Sequence, residues 1–122
     1  MDLIKTRLQI NQSFRAVCFF LFALGFTGCQ NIRNFSFSPD GQEIVLGIGS
    51  DAGGNNGGIY VAGKDTRGVR RLTFPAGRKE EDYDPVYSSD GSKIAFCRRD
   101  MKELWSWSHL HIMNSEGQIF SS

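Results

Sequence analysis

Two strands and a tight turn between them are predicted by the stretch Phe35-Ser36-Phe37-Ser38-Pro39-Asp40-Gly41-Gln42-Glu43-Ile44-Val45-Leu46. The same pattern returns in Pro85-Val86-Tyr87-Ser88-Ser89-Asp90-Gly91-Ser92-Lys93-Ile94-Ala95-Phe96. Matched positions lie 50 residues apart, as Phe37 does from Tyr87 and Ile44 from Ile94. A fixed internal period of this size is typical of repeat architectures such as solenoids and propellers.

The residues of the two turns explain why the pattern predicts β-hairpins. Pro39 presets the backbone φ of a turn, Asp40 can accept hydrogen bonds from nearby amides, and Gly41 tolerates positive φ. In the second copy Ser89 replaces the proline, but the Asp-Gly pair that most strongly indicates a hairpin is kept. The two predicted repeat turns are therefore Ser38-Pro39-Asp40-Gly41 and Ser88-Ser89-Asp90-Gly91.

Further short strands follow each hairpin, and their order resembles a known repeat. Gly58-Ile59-Tyr60-Val61 and Arg70-Arg71-Leu72-Thr73 follow the first hairpin, and Asp84-Pro85 opens the second copy. With the F-S-P-D-G turn, this order resembles the WD-repeat-like propeller blade of the TolB family over nearly all the chain after residue 31. The resemblance implies an all-β fold: a partial β-propeller of about two four-stranded antiparallel blades after an N-terminal signal helix. The repeat units would span residues 34–83 and 84–122.

The N-terminal segment reads as a signal peptide over residues 1–28. Three basic residues precede an uncharged run at 16–26, and this run is within the ~7–15 residues typical of a signal-peptide core. The boundary Phe26-Thr27-Gly28-Cys29 resembles a bacterial lipoprotein box, which implies lipidation of Cys29 and a tether over residues 29–33. An ordinary signal peptide, giving a soluble periplasmic or secreted protein, and a retained membrane anchor are the alternatives.

The chain from Cys29 onward would have 94 residues, with 11 Lys and Arg against 12 Asp and Glu. One small domain is the most that this length allows, and the near-neutral charge argues against a nucleic-acid partner. Cys97 would be its remaining thiol, so we expect no disulfide. We interpret Cys97 as a packed small apolar residue, with a reactive thiol as the alternative.

Two polar segments offer candidate sites of low specificity. Asp51, Asn55 and Asn56 in the glycine-rich run 47–58 have oxygen atoms that suit calcium, but their spacing matches no calcium loop, and a flexible, solvated hairpin tip is the preferred interpretation. The charges of residues 75–83 compensate one another, which predicts a solvated loop.

Aromatic residues near the end of the second unit give a candidate binding surface. Trp105 and Trp107 alternate, so they would share one strand face and could stack on a sugar ring or pack on a partner. Burial against a neighbouring blade would explain them as well. His109 and His111 also alternate, but the sequence offers no third ligand, and we predict neither a metal nor a cofactor.

The sequence offers no catalytic constellation. It has no G-x-S-x-G, His-Glu-x-x-His or CxxC motif, and we expect a protein that is not an enzyme. Closed propellers use about four to eight blades, so two blades would leave apolar faces uncovered. Truncation of a longer product, homo-oligomerisation that completes a ring, and a separate partner are three ways to resolve this.

The resemblance to TolB-like repeats implies a non-enzymatic binding or scaffold module of the cell envelope. Such a module would lie on the periplasmic face of the bacterial membrane, held by a lipid anchor, and would contact periplasmic or outer-membrane lipoprotein partners. The same blade is similar to those of prolyl-oligopeptidase-type peptidases and some polysaccharide lyases. The alternative is therefore a fragment of a propeller-bearing hydrolase or lyase, whose propeller filters substrate, or a fragment without independent function.

Overall fold

The computed structural model describes residues 32–65, 67–101 and 106–121, and these form two four-stranded antiparallel sheets. The first sheet contains β1 (Ile32–Phe37), β2 (Glu43–Ile48), β3 (Gly58–Gly63) and β4 (Arg70–Arg71). The second contains β5 (Glu80–Tyr87), β6 (Lys93–Asp100), β7 (Trp107–Asn114) and β8 (Ile119–Ser121), and a 3-10 turn at Gly77–Lys79 precedes it. In each sheet the strands lie side by side in chain order. The predicted all-β class with two four-stranded antiparallel sheets is confirmed.

Some predictions concern residues outside these ranges. The signal peptide over residues 1–28, the lipidation candidate Cys29 and the first tryptophan, Trp105, lie outside the described residues. Within the described part of the chain, no helix has the length and apolar character to cross a membrane.

Strand pairing shows how closely the second sheet repeats the first. Val45 pairs with Val61 in the first sheet, and Ala95 pairs with Ile112 in the second. The second strand of each sheet is therefore offset by 50 residues and the third by 51. The second unit therefore has one more residue between β6 and β7 than the first unit has between β2 and β3. The pairing of the second and third strands keeps the same register in both sheets.

The two repeat turns have the same hydrogen bonds. Ser38 donates its hydroxyl to Asp40 Oδ1 at 2.6 Å, and the Ser88 hydroxyl donates to Asp90 Oδ1 at the same distance. Each aspartate also accepts the amide N–H two residues later, at 3.0 Å in both turns. Gly41 and Gly91 have φ of 68° and 73°, which a residue with a side chain would adopt only with strain. The local chemistry of the turns thus fixes where both hairpins reverse.

Protonation of Asp90 should open its turn. The hydrogen bond from the Ser88 hydroxyl, with the amide and hydroxyl of Ser92, lowers the pKa of Asp90 from 3.8 to about 2. Because the folded-state pKa is depressed, the stabilising effect is complete above pH 4 and is lost as the pH falls from about 4 to about 2. We expect NMR titration of Ser88→Ala to show the Asp90 pKa moving back toward 3.8. An unchanged pKa in this variant would contradict the role of the hydroxyl.

Each sheet has two faces, named here by the second strand. The front face bears Ile44 and Leu46 in the first sheet and their equivalents Ile94 and Phe96 in the second; the back face bears Val45 in the first and Ala95 in the second. The back face of the first sheet packs on the front face of the second through one buried apolar cluster, made of Val45, Ile59, Val61, Leu72, Ile94, Phe96 and Met113. A second buried cluster lies on the front face of the first sheet. The core between the sheets therefore forms where the back face of the first sheet meets the front face of the second.

The structure corrects the prediction for residues 80–83. They belong to β5 rather than to a solvated loop, and Asp82 is fully buried. Arg98 on the neighbouring strand donates to both carboxylate oxygens of Asp82, from Nε at 2.7 Å and from Nη2 at 2.8 Å. These hydrogen bonds raise the pKa of the Arg98 guanidinium. The sequence pattern balanced the charge of Asp82 against other residues of a loop. In the structure this charge is balanced by Arg98 on the neighbouring strand.

The glycine-rich segment forms a solvated turn between β2 and β3 that is held by hydrogen bonds to Asp51. Asp51 Oδ1 accepts from the amides of Gly53 and Asn55 at 3.0 and 2.8 Å, and Asp51 Oδ2 accepts from Asn56 Nδ2 at 3.0 Å. The loop's own donors therefore occupy the carboxylate that had been considered as a calcium ligand.

Candidate partner-binding surface

The back face of the second sheet is an apolar surface open to solvent. Its members are Tyr83, Val86, Ala95, Cys97, Leu110 and Ile112, as the pairing of β5, β6 and β7 places them on one side. Leu110 is 61% exposed and Val86 is 51% exposed. Scattered apolar residues are common on protein surfaces, but neighbouring ones on one flat sheet face are a candidate contact site.

Comparison of equivalent positions shows how unusual this exposure is for the chain. Leu110 corresponds to Ile59 and Ile112 to Val61, because each pair occupies the same register opposite the second strand. Ile59 is 0% exposed and Val61 1% exposed, since the second sheet covers them. The second sheet thus repeats the apolar back face that is buried in the first sheet. No described residue covers this face in the second sheet.

Polar groups surround one end of this back face. The Arg99 guanidinium lies 5.0 Å from the centre of the Tyr83 ring and 3.8 Å from Glu81. Tyr83 donates its hydroxyl to Ser108 Oγ at 2.7 Å. An apolar centre with polar groups at its margin is the usual arrangement of protein–protein contact sites.

A small cleft of about 160 Å³ lies where β1 meets β5. There the amide of Asp84 donates to Asn34 Oδ1 at 3.1 Å, so the two sheets are linked by residues 50 positions apart. Asp84 has φ of 53°, in the irregular pairing between Tyr83 and Val86. Aspartate tolerates this left-handed conformation better than most residues do. Asp84 is exposed, and its carboxylate has no hydrogen-bond partner within the described ranges.

Trp107 lies on the opposite side from Leu110. It pairs with Asp100 at the end of β7, belongs to the front face, and is 69% exposed. The structure therefore places one of the two predicted tryptophans in solvent. It places that tryptophan apart from the apolar back face.

The two histidines of β7 do not form a metal site. His111 stacks on Phe96 with ring centres 5.3 Å apart, and burial, followed by the nearby Arg98 charge, lowers its pKa. His109 is exposed beside it on the same strand. Over residues 32–65, 67–101 and 106–121, no three His, Cys, Asp or Glu side chains come together to hold a metal ion.

A second, wider cleft of about 610 Å³ is lined by the glycine-rich turn and by Arg71 and Phe74. Arg71 donates to the carbonyls of Thr73 and Gly57, at 3.0 and 2.5 Å, and its guanidinium lies 4.6 Å from the centre of the Phe74 ring. Its donors thus hold the surrounding backbone together, and we assign this cleft a structural role.

Sequence reasoning had named neither Leu110 nor Val86 nor Asp84 as a binding residue. The signal that could have found them is the repeat itself, because it sets each of them against a position in the first unit. Whether an equivalent position is covered depends on the packing of the sheets, and the sequence alone does not show this.

Comparison with known proteins does not assign the chain to a family. The chain matches no protein-family model, and a search of curated proteins finds no match.

Proposed function

We propose that this chain is a non-enzymatic binding or scaffold module of the cell envelope, built from TolB-like propeller repeats and acting through protein–protein contact. The observation that supports it is the apolar back face of the second sheet, exposed where its equivalent in the first sheet is buried. Such a face suits another protein surface, because burying apolar area is the main driving force of protein association.

The buried carboxylate and the two turn carboxylates have structural roles, which favours binding over catalysis at these positions. Asp82 and Arg98 hold each other across two strands, and Asp40 and Asp90 hold their turns. A catalytic acid or base must instead be free to exchange protons with a substrate. Among the described residues these carboxylates are committed to the fold.

The proposed location is the periplasmic face of the bacterial membrane, where a lipid on Cys29 would anchor the chain. This rests on the signal-peptide pattern and the lipoprotein-type box at residues 26–29. The near-neutral charge from Cys29 onward fits a protein partner better than a nucleic acid.

Site-specific photocross-linking in bacterial cells tests this proposal. A photoreactive amino acid at Leu110 should give discrete adducts with protein in the membrane fraction. The same probe at Lys64, which is exposed in the turn after β3, should give none. A third probe at Trp107 reports on the opposite side of the second sheet.

Three results would separate the parts of the proposal. Adducts at Trp107 but not at Leu110 would move the site to the front face. No protein adduct at either position would contradict a protein-binding function. In Cys29→Ala cells the protein should move from the membrane to the soluble fraction, and retention at the membrane would contradict the lipid anchor.

A further inference from the structure

We propose that the cleft between β1 and β5 binds a free α-amino acid, whose carboxylate contacts Arg33 and Arg99 and whose ammonium group contacts Asp84. This binding goes beyond the protein contact proposed above and does not rest on it. The cleft lies at the junction of the two sheets and is lined by Arg33, Asn34, Glu81, Tyr83, Asp84 and Arg99.

Two arginines from different sheets face one glutamate in this cleft. Arg33 Nη2 lies 3.4 Å from one carboxylate oxygen of Glu81, and Arg99 Nη1 lies 3.8 Å from the other. Both distances exceed the roughly 2.7–2.9 Å of a charge-assisted N–H···O hydrogen bond. The arginine side chains are 62% and 41% exposed, and each guanidinium has several N–H donors. Donors therefore remain available for the carboxylate of a ligand.

Neighbouring groups fix where the two guanidinium groups lie. The guanidinium of Arg99 is 5.0 Å from the centre of the Tyr83 ring, within the range of a cation–π contact. Arg33 lies against Gly49, where an added Cβ would be 2.9 Å from Arg33 Nε. A larger residue there would displace the arginine. Because both cations are already positioned, binding a ligand costs less side-chain ordering than two free arginines would require.

Asp84 brings a negative charge to the same cleft. Its amide N–H donates to Asn34 Oδ1 at 3.1 Å, which holds the main chain in place. Its carboxylate is exposed and accepts no hydrogen bond from another described residue. An ionised carboxylate can only accept, and an ammonium group carries three donors. Asp84 therefore suits the ammonium group of a ligand.

Charge and size together select the class of ligand. The two guanidinium and two carboxylate charges of the cleft cancel, so a ligand with one group of each sign keeps this balance. An anion alone would be repelled by Asp84, and a cation alone would meet two guanidinium groups. The volume of about 160 Å³ is below the roughly 300–1,000 Å³ of pockets for drug-sized ligands. A free α-amino acid carries both charges on a molecule small enough for such a cleft.

Three probes of similar size test the proposal on the full chain. They are L-alanine, L-lactate, in which a hydroxyl replaces the ammonium group, and L-alaninamide, in which an amide replaces the carboxylate. In NMR titrations L-alanine should give saturable shifts of the Asn34 and Asp84 amide signals. The other two probes should bind at least about tenfold more weakly, as expected when a hydrogen bond between charged groups is lost.

Variants of the lining residues assign each half of the ligand. Asp84→Asn removes the charge and keeps the fold, because asparagine also tolerates a φ of 53°. It should weaken L-alanine binding at least about tenfold, without weakening L-lactate binding. Arg99→Gln should weaken the binding of both probes. The control is Arg67→Gln, which should change neither affinity, because Arg67 is exposed between β3 and β4 and pairs with Asp65.

Three results would overturn the proposal. The first is the absence of saturable shifts with L-alanine in the millimolar range. The second is equal affinity for L-alanine and L-lactate, which would make the cleft a site for anions. The third is an Asp84→Asn variant that binds L-alanine as tightly as the unsubstituted chain. None of these results bears on photocross-links from Leu110, so the proposed function is tested separately.

Discussion

The Phe96→Ala variant is expected to lose about 3 to 5 kcal/mol of its free energy of unfolding, as large-to-small substitutions of buried aromatic residues do. Phe96 is fully buried at the junction of the sheets, where it belongs to the cluster that joins them and stacks on His111. Its removal would leave a cavity between two layers that are held together mainly by apolar contact. Urea denaturation followed by circular dichroism measures the loss.

Phe120→Ala is the matched control, since Phe120 is in the same sheet but is 57% exposed. Its effect should be within about 0.5 kcal/mol, the usual range for surface substitutions. If both variants lost the same free energy, the two sheets would not share the core described above. If Phe96→Ala produced two separate unfolding transitions, the sheets would be stable independently, which their shared cluster argues against.

The hairpins could be predicted from sequence because their causes are local. Asp40 and Gly41 act within a few residues of one another, and the structure shows the hydrogen bond and the positive φ that such a turn needs. The 50-residue repeat extended the prediction to a second hairpin, and the resemblance to TolB-like blades implied the two four-stranded antiparallel sheets that the structure shows. The turns could be predicted because each depends on residues that are neighbours in the chain.

Side-chain contacts between neighbouring strands could not be predicted in this way, because they depend on strand register. The pairing of Asp82 with Arg98 depends on the register of β5 against β6 and on the irregularity between Tyr83 and Val86. The charge pattern of residues 75–83 looked balanced without it. For the same reason, alternation of Trp105 and Trp107 predicts a shared strand face but not whether a sheet covers that face. The exposure of Leu110 likewise follows only from how the two sheets pack.

Asp82→Ala should be the most destabilising charge removal in the described part of the chain, at about 3 to 5 kcal/mol, the range for breaking a buried ion pair. Asp82 is 0% exposed, and both of its oxygens accept from Arg98. The substitution leaves the Arg98 guanidinium, whose side chain is 22% exposed, without its carboxylate. Urea denaturation at pH 7 measures the cost, with Asp65→Ala as the control, because Asp65 is in an exposed, 3.8 Å pair with Arg67.

A double variant separates the two reasons for that loss. If the cost comes from stranding a buried charge, Asp82→Leu combined with Arg98→Met should recover most of the free energy lost in Asp82→Ala, because apolar pairs often replace buried ion pairs without loss. If the cost comes instead from the geometry that the bidentate pair imposes on β5 and β6, the double variant should stay as unstable as the single one. We expect recovery, since the ladder on both sides of the pair, from Glu80 opposite Asp100 to Tyr83 opposite Cys97, keeps the register without it. Failure to recover would mean that the ion pair itself aligns the start of the second sheet.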